Sequence, residues 1–318
     1  MRNFLCLAAL CLLAVPAAAD PLPSWAETET KAAILDFVER VTDSDSPDYV
    51  TPADRIATFD NDGTLWAEQP VYFQLIYALD RLKEKADADP LILSSDVLRA
   101  AAAGDVATVA AGGIEALLEV LAVSHSGMSV EAFQDDVRAW LETARHPTTG
   151  MRYDAMVYQP MLELLSYLRD QDFQTWIVSG GGVHFIRAFA ERAYNIPPEQ
   201  VMGTAGPTEY VDGAVMKLPG IDFVDDKEGK PVGIDSRIGK RPIFASGNSD
   251  GDFAMLEYTT SGDGPRFGLL VHHTDADREF AYDREGHIGV LNRGLDEGPD
   301  RGWVIVDMAN DWTQIWPE

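Results

Sequence analysis

The fold is decided by the stretch Arg55-Ile56-Ala57-Thr58-Phe59-Asp60-Asn61-Asp62-Gly63-Thr64-Leu65. Its first five residues include β-branched and aromatic side chains, and they lead into a polar turn that contains glycine. This pattern is typical of a strand that ends at the carboxyl edge of a parallel sheet. Such edges are where α/β sheets bind ligands, so Asp60 and Asp62 become candidate functional residues. A surface turn or a helix cap would also fit the turn taken alone. A calcium loop would not, because the regularly spaced later ligands are missing.

Three later segments repeat this pattern of a strand followed by a polar turn. They are residues 173–178 before Ser179-Gly180-Gly181-Gly182, residues 242–245 before Ser246-Gly247-Asn248-Ser249-Asp250, and residues 267–271 before His272-His273. Helices are predicted between them, at the apolar face from Tyr158 to Leu168 and at residues 183–194. Strands that alternate with helices predict a parallel sheet covered on both faces, an α/β fold with a Rossmann-like core.

The pattern changes between Leu65 and Gln159, where Ala and Leu dominate and strong strand signals are missing. Helices are predicted at residues 71–86, 91–103, 114–123 and 130–144. We therefore expect an all-helical domain at 67–149, inserted into a core domain made of 20–66 and 150–318 that contains the sheet. A small hairpin is predicted at 210–215, with Asp212-Gly213 as its turn.

The first 19 residues have the pattern of a secretory signal peptide. Arg2 is followed by an apolar run, and Ala17-Ala18-Ala19 precedes Asp20 as a small-residue cleavage site. The run is shorter than the roughly 20 apolar residues that span a membrane. Both cysteines, Cys6 and Cys11, lie inside this segment, so the mature chain would have no disulfide and no cysteine metal site. We expect a secreted or periplasmic protein without stable membrane insertion after cleavage.

The formal net charge is −27, with 46% hydrophobic and 24% charged residues. These fractions are ordinary for a globular protein. The negative charge repels nucleic acids and anionic membranes, so no nucleic-acid partner is expected. It hints instead at substrates whose leaving groups are positively charged, such as amino alcohols. A site for an anionic substrate would require a local source of positive charge.

Two of the polar clusters suit an anion and a metal ion. Ser179, Gly180 and Gly181 offer a hydroxyl and unhindered backbone N–H groups that can hold an oxyanion, although a simple helix cap has the same pattern. A Walker loop is excluded because no Gly-Lys-Ser or Gly-Lys-Thr follows. Asn248, Asp250 and Asp252 supply the oxygen ligands that Mg²⁺ prefers, or else a polar turn that caps the next helix.

In this order, the clusters resemble the motifs of the haloacid dehalogenase (HAD) superfamily, in its phosphoserine-phosphatase-like branch with a helical cap. Asp60 to Leu65 is similar to the first motif and Ser179 to the second. A lysine ahead of the last cluster is similar to the third, and Gly247 to Asp252 to the fourth. The resemblance covers about residues 56–256. It implies the Rossmann-like core and a helical cap between the first two motifs.

The resemblance also implies residue roles. Asp60 would attack phosphorus and form an aspartyl-phosphate, and Asp62 would act as general acid and base. Ser179, Gly180 and Lys230 would bind the phosphoryl group. Mg²⁺ would be held by Asp60, the backbone carbonyl of Asp62, Asn248 and the acidic position of Asp252. Because dehalogenases of the family lack an acid at the position of Asp62, phosphoryl transfer is favoured.

Two features depart from the family pattern or leave it ambiguous. Asn248 stands where the family usually has aspartate, so one negative charge is lost and Asp250 is an alternative metal ligand. Lys227, Lys230 and Lys240 all precede the fourth motif, and Lys230 is favoured because it begins a predicted helix.

The sequence thus predicts an exported, Mg²⁺-dependent phosphatase that hydrolyses a small phosphate monoester. A phosphotransferase or mutase on the same scaffold is one alternative. A non-catalytic envelope binding protein, in which Asn248 marks a decayed metal site, is another. At the entrance to the helical insert, Trp66, Glu68 and Gln69 could contact the leaving group or pack as a hinge.

Overall fold

A computed structural model describes residues 19–318. The predicted signal peptide therefore lies outside the described residues, apart from Ala19. The strands are β1 (Ile56–Phe59), β2 (Gln174–Gly182), β3 (Val201–Thr204), β4 (Thr208–Val211), β5 (Ala214–Lys217), β6 (Phe244–Gly247), β7 (Phe267–His272) and β8 (Val304–Asp307). Six of them form one parallel sheet in the order β3-β2-β1-β6-β7-β8. This confirms the predicted α/β, Rossmann-like class.

Thirteen α-helices occur within residues 19–318. They are α1 (Glu29–Thr42), α2 (Phe73–Ala88), α3 (Asp96–Ala102), α4 (Val106–Ala111), α5 (Gly113–Ser124), α6 (Val130–Thr143), α7 (Gln159–Asp170), α8 (Val183–Arg187), α9 (Ala190–Tyr194), α10 (Gly229–Arg237), α11 (Phe253–Thr260), α12 (Arg293–Glu297) and α13 (Met308–Asp311). None of the helices in this range is long and apolar enough to cross a bilayer.

Two predicted helices differ in detail from the observed ones. The helix predicted at 91–103 is α-helical only from Asp96, because the Ser95 hydroxyl accepts a hydrogen bond from the Leu98 N–H at 3.0 Å and caps the helix there. The single helix predicted at 183–194 is divided into α8 and α9. At the break Phe189 leaves the helical conformation, and its ring stacks on Trp66 with centroids 4.4 Å apart.

Aromatic side chains hold the centre of the sheet together. Phe244 on β6 stacks on Phe267 of β7 with centroids 5.2 Å apart, and it contacts Phe59 of β1 at 5.6 Å. Phe37 of α1 covers the same group at 5.1 Å from Phe267. All residues of β1 are buried, as expected for a strand with both faces covered. This packing fixes the position from which Asp60 emerges.

The helical segment between β1 and α7 packs in two directions. One face of α2 joins α3, α4 and α5 in a separate apolar cluster, which includes Leu82, Leu98 and Val120. Phe73 and Tyr77 of α2, by contrast, belong to the main core, as do Phe133 and Trp140 of α6. The helical character agrees with the sequence pattern, while the division into a core and a cap domain at 67–149 stays a prediction.

The hairpin β4–β5 lies outside the main sheet. Asp212 and Gly213 have φ angles of 47° and 93°, as a two-residue turn of this kind requires. Two backbone hydrogen bonds fasten its second strand to the loop between α5 and α6. The N–H of Lys217 donates to the carbonyl of Met128 at 2.9 Å, and the N–H of Gly127 donates to the carbonyl of Lys217 at 3.0 Å. The hairpin therefore connects the sheet domain to the helical segment.

The aromatic cluster gives a first testable prediction. Phe244→Ala should lower the free energy of unfolding by about 3–5 kcal/mol, because it leaves a cavity among three rings. Val232→Ala is the control, since Val232 is 57% exposed and should change stability little. Both are measured by urea denaturation. A loss below about 1 kcal/mol for Phe244→Ala would contradict this account of the core.

Candidate active site

Asp60 is the first residue after β1, and its N–H donates to the carbonyl of Ser246 on β6 at 2.9 Å. Ser179 lies in the last part of β2, and Asn248 directly follows β6. Because β2 and β6 flank β1 in the parallel sheet, all three side chains belong to one edge. This is the edge at which such sheets bind ligands.

Lys230 lies in the first turn of α10 and is completely buried. Its Nζ is 2.7 Å from Oδ1 of Asp60, 2.6 Å from Oδ1 of Asp252 and 2.8 Å from the carbonyl oxygen of Val178. Burial disfavours its charge, but the two carboxylates outweigh that effect and raise the pKa of Lys230 above its usual range. The ammonium is therefore kept protonated beside Asp60.

The other two candidate lysines are placed elsewhere. Lys240 pairs with Asp54 at 2.7 Å on the surface. Lys227 is exposed, and its φ of 51° places it in a tight turn before α10. Of the three lysines that the sequence offered, the structure brings Lys230 to Asp60.

The fourth-motif acids have different partners. Asp252 uses its second oxygen to accept hydrogen bonds from the N–H groups of Asn248 and Ser249, at 2.9 and 3.0 Å. The carboxylate of Asp250 accepts from the N–H groups of residues 292–294, at 2.9–3.1 Å. Asp250 thus holds the start of α12, while Asp252 joins the site loop to Lys230.

Asp60 and Asp62 both have raised pKa values. Burial is the main cause for Asp60, and the charge of Asp252 adds to it, while Lys230 opposes it. Burial also raises the pKa of Asp62, against a hydrogen bond of 2.8 Å from the indole N–H of Trp66. A raised pKa favours the protonated form that a general acid needs.

The glycine turn after β2 approaches these acids closely. The Ser179 hydroxyl accepts a hydrogen bond from the Gly181 N–H at 3.0 Å, and the carbonyl of Gly180 accepts one from Thr204 at 2.7 Å. A Cβ placed on Gly181 would lie 3.4 Å from Oδ2 of Asp62. The absence of a side chain on Gly181 therefore lets the turn approach Asp62 closely, while the N–H of Gly182 donates to Oε1 of Gln74 at 2.7 Å.

Glu68 is more deeply involved than the sequence indicated. It is 2% exposed, and its Oε1 accepts hydrogen bonds of 2.7 Å from the amide Nδ2 of Asn248 and from the hydroxyl of Tyr282. Burial raises its pKa to about 7, although the bond from Tyr282 opposes the shift. Trp66 is fully buried, and the backbone carbonyl of Gln69 lies 2.8 Å from Nε2 of His146. Trp66 thus both packs on Phe189 and donates to Asp62, while Gln69 is held by His146 through its backbone.

The charges and ligand atoms at this edge suit a hard divalent cation. Asp60 and Asp252 pair with the ammonium of Lys230, and two further acids, Asp62 and Glu68, line the same cavity. Within residues 19–318 no cluster of three or more His, Cys, Asp or Glu is arranged to hold a metal. The ligand set that the family resemblance implies does not require such a cluster. It combines the Asp60 carboxylate with the Asp62 carbonyl and the Asn248 amide. An all-oxygen set with surplus negative charge fits Mg²⁺.

A cavity of about 260 Å³ opens at this edge. Asp60, Asp62, Glu68 and Lys230 line it together with the turn Gly180–Gly182. It also includes residues from the helical segment and the hairpin, among them Gln74, His125 and Lys217. Sequence analysis missed these three, since no motif marks them.

The comparison with protein families agrees with this geometry. Residues 57–257 match the family described as haloacid dehalogenase-like hydrolase. The match includes the whole Asp60–Lys230–Asp252 group. The chain therefore belongs to the haloacid dehalogenase-like hydrolases, which confirms the family that the four motifs predicted. No curated protein sequence matches the chain.

Several solved structures have a related fold. A conserved protein of unknown function from Anaerococcus prevotii DSM 20548 is 18% identical, with 87% of this chain and 92% of that chain covered and a TM-score of 0.56. A protein of unknown function from Bordetella pertussis Tohama I is also 18% identical, with coverages of 80% and 98% and a TM-score of 0.49. A phosphoserine phosphohydrolase-like protein from Francisella tularensis subsp. tularensis SCHU S4 is 17% identical, with coverages of 77% and 98% and a TM-score of 0.41. At such identities the likeness to the Anaerococcus protein shows the fold alone.

Gly63 gives a prediction about the site loop. Its φ is +73°, and a Cβ there would lie 2.1 Å from Nδ2 of Asn248 and 2.4 Å from Oε1 of Glu68. Gly104 has a similar φ of +75° with nothing within 4 Å, so it is a matched control for backbone strain alone. We expect Gly63→Ala to lower the free energy of unfolding by about 1–3 kcal/mol more than Gly104→Ala does. If urea denaturation gave equal decreases in the free energy of unfolding for the two variants, a methyl group on residue 63 would not clash with Asn248 and Glu68.

Proposed function

We propose that this chain is an exported, Mg²⁺-dependent phosphatase that hydrolyses a small phosphate monoester through an aspartyl-phosphate on Asp60. The observation that carries the proposal is the buried ammonium of Lys230, 2.7 Å from Oδ1 of Asp60 in a cavity that also holds Asp62. Membership of the haloacid dehalogenase-like hydrolases supports it.

Positive groups at the site can bind a phosphate ester even though the chain has a net charge of −27. Lys230 supplies a fixed positive charge, and Gly180 lines the cavity beside Ser179, whose hydroxyl holds the Gly181 N–H. In phosphoryl transfer the transition-state charge lies on the phosphoryl oxygens, so such groups provide most of the catalysis. The same residues would bind the phosphoryl group of the substrate.

The reaction has two steps. A carboxylate oxygen of Asp60 attacks phosphorus and forms the aspartyl-phosphate, while the bond to the leaving oxygen breaks and Asp62 gives that oxygen its proton. Asp62, now ionised, then takes a proton from a water molecule that attacks the same phosphorus. Phosphate is released and Asp60 is restored. The raised pKa of Asp62 suits both its roles.

Mg²⁺ would be held by Asp60, the Asp62 carbonyl and Asn248, with Asp252 bracing the Asn248 loop. When bound, it would offset the negative charge of the phosphoryl group and of the surrounding carboxylates. Asp250 is engaged with residues 292–294, so we propose Asn248 as the fourth-motif ligand.

Export and domain organisation belong to the same proposal. The signal pattern at 1–19 supports a secreted or periplasmic enzyme, and the high negative charge argues against a nucleic-acid partner. The helical segment contributes side chains to the cavity, which supports its assignment as a cap at 67–149.

Two substitutions test the mechanism. With Mg²⁺ present, Asp60→Asn should abolish phosphate release from monoesters because the nucleophile is lost, and Asp62→Asn should lower kcat by about 10²–10⁴-fold. Asp54→Asn is the control, since that carboxylate pairs with Lys240 on the surface. Release is measured in plain buffer, where water is the acceptor, and a chelator should suppress it.

Wild-type turnover by Asp60→Asn would overturn the mechanism. Phosphate release that requires an added hydroxyl acceptor would point to a phosphotransferase. No turnover of any monoester by the folded wild-type protein would favour the non-catalytic binding protein.

A further inference from the structure

The cavity at Asp60 has an apolar wall that hydrolysis itself does not require. Leu75 of α2, Leu117 and Leu121 of α5 and Phe133 of α6 line it from the helical segment. Leu218 and Ile221 line it from the segment after the hairpin. A phosphoryl group makes no use of such surfaces, so they are available to the leaving group.

Lys217 stands in this apolar part. Its backbone is fixed by the two hydrogen bonds to the loop at Gly127 and Met128. Its Nζ lies 3.0 Å from Nδ1 of His184 and 4.5 Å from the centroid of the Phe133 ring. Among the ion pairs of residues 19–318, none includes Lys217, whereas Lys230 has two carboxylate partners. Lys217 is thus a cavity ammonium without a carboxylate.

The surroundings of Lys217 favour the binding of an anion. Burial lowers its pKa to about 8, so it still carries its charge near neutral pH. Burial, helped by the charge of Lys217, lowers the pKa of His184 to about 4, so the imidazole is neutral and can accept a hydrogen bond from the ammonium. A cation held in apolar surroundings is costly unless an opposite charge meets it. Neither His184 nor the Phe133 ring supplies that charge.

We propose that Lys217 and the apolar wall select a phosphate monoester whose leaving group is apolar and carries a second anionic group. The proposal rests on the proposed phosphatase function and names its substrate class. It differs from the expectation of a positively charged leaving group, which came from the net charge of the whole chain. We expect Lys217 to govern the preference for the leaving group, because it lines the cavity. Surface charges are farther from a bound ligand, and salt screens them.

Binding of non-hydrolysable analogues tests the preference apart from catalysis. We would compare 4-carboxybenzylphosphonate with its neutral carboxamide and its trimethylammonium counterpart, by calorimetry in the presence of Mg²⁺. The wild-type protein should bind the carboxylate at least about tenfold more tightly than the carboxamide, and the cationic analogue most weakly. Equal affinities for the carboxylate and the carboxamide would overturn the proposal.

Lys217→Met keeps the length of the side chain and removes its charge. It should abolish the preference by weakening binding of the carboxylate, while Lys240→Met, which removes a surface lysine, should leave the preference intact. A preference that survives in Lys217→Met would also overturn the proposal. The matching aryl phosphates test hydrolysis separately, so failure of the phosphatase function and failure of the charge preference give different results.

A second observation concerns the amide that replaces an expected carboxylate. The Nδ2 of Asn248 donates to Glu68 at 2.7 Å, and the Oδ1 of Asn248 accepts from the hydroxyl of Thr64 at 3.1 Å. Tyr282 holds Glu68 from another side at 2.7 Å. Asn248 and Glu68 are both buried, and their side chains occupy the position that a Cβ on Gly63 would take.

Compared with the family pattern, the carboxylate expected at position 248 is placed on a neighbouring residue and is not lost from the site. The carboxylate absent from position 248 is present one hydrogen bond away, on Glu68. The bonds to Glu68 and from Thr64 fix which end of the amide is the nitrogen, so Oδ1, which has a second lone pair, is the only end that can bind a cation. Residues that orient a ligand in this way strongly affect metal affinity.

We infer that Glu68 is a positioning residue that makes Asn248 a competent ligand for the proposed magnesium ion. Mn²⁺ is the probe, and its binding is measured by electron paramagnetic resonance without substrate. Glu68→Gln should weaken Mn²⁺ binding about 10–100-fold. The double variant Glu68→Gln/Asn248→Asp should recover most of that affinity, because the carboxylate returns to position 248.

Glu163→Gln is the control, since Glu163 accepts hydrogen bonds from Ser24 and does not line the cavity. Wild-type affinity in Glu68→Gln, or no recovery in the double variant, would overturn the inference. If Glu68→Gln does not fold, the single variant Asn248→Asp tests the role of Glu68. Two adjacent carboxylates should lower the Tm of the metal-free protein and tighten Mn²⁺ binding, and no change in either would contradict the role of Glu68.

Discussion

The site depends on one buried ammonium. Lys230 joins the end of β1 through Asp60, the middle of β2 through the carbonyl of Val178, and the start of α11 through Asp252. Taking this charge out of water is costly, and the cost is offset only when each N–H of the ammonium has a partner. All three are satisfied here, by groups from three different elements. Lys230 can therefore be buried because this edge of the sheet brings its three hydrogen-bond acceptors together.

The same ammonium does not balance the charges around it. Asp60 and Asp252 already outnumber Lys230, and Asp62 and Glu68 add to the excess whenever they are ionised. Burial raises the pKa values of Asp60, Asp62 and Glu68, because their negative charge is disfavoured away from water. A divalent cation would remove this imbalance and would bring the positive charge that an anionic substrate needs. The replacement of aspartate by Asn248 leaves this conclusion intact, since Glu68 retains the charge nearby.

The sequence predicted the parts of the site that follow from the sheet. Parallel strands bring their carboxyl ends to one edge, so the positions of Asp60, Ser179 and Asn248 could be expected from three strand patterns. The choice of Lys230 came from the family resemblance, not from the strands. Asp250 shows the limit of a local pattern, because a turn rich in oxygen side chains does not reveal which of them points toward the site. Its partners lie at 292–294, which no short-range signal connects to it.

The contact of Glu68 with Asn248, and the presence of Lys217 in the cavity, could not be found from the sequence for a related reason. Glu68 reaches Asn248 across 180 residues of sequence, in a loop that has no periodicity to fix its direction. Lys217 enters the cavity only because its hairpin is fastened to the loop between α5 and α6. In the proposed reaction the sheet would thus supply the reacting groups, whereas the helical segment and the hairpin would supply the surfaces that meet the leaving group. Motifs on strand ends therefore predict the reaction, and the substrate depends on tertiary contacts that motifs do not encode.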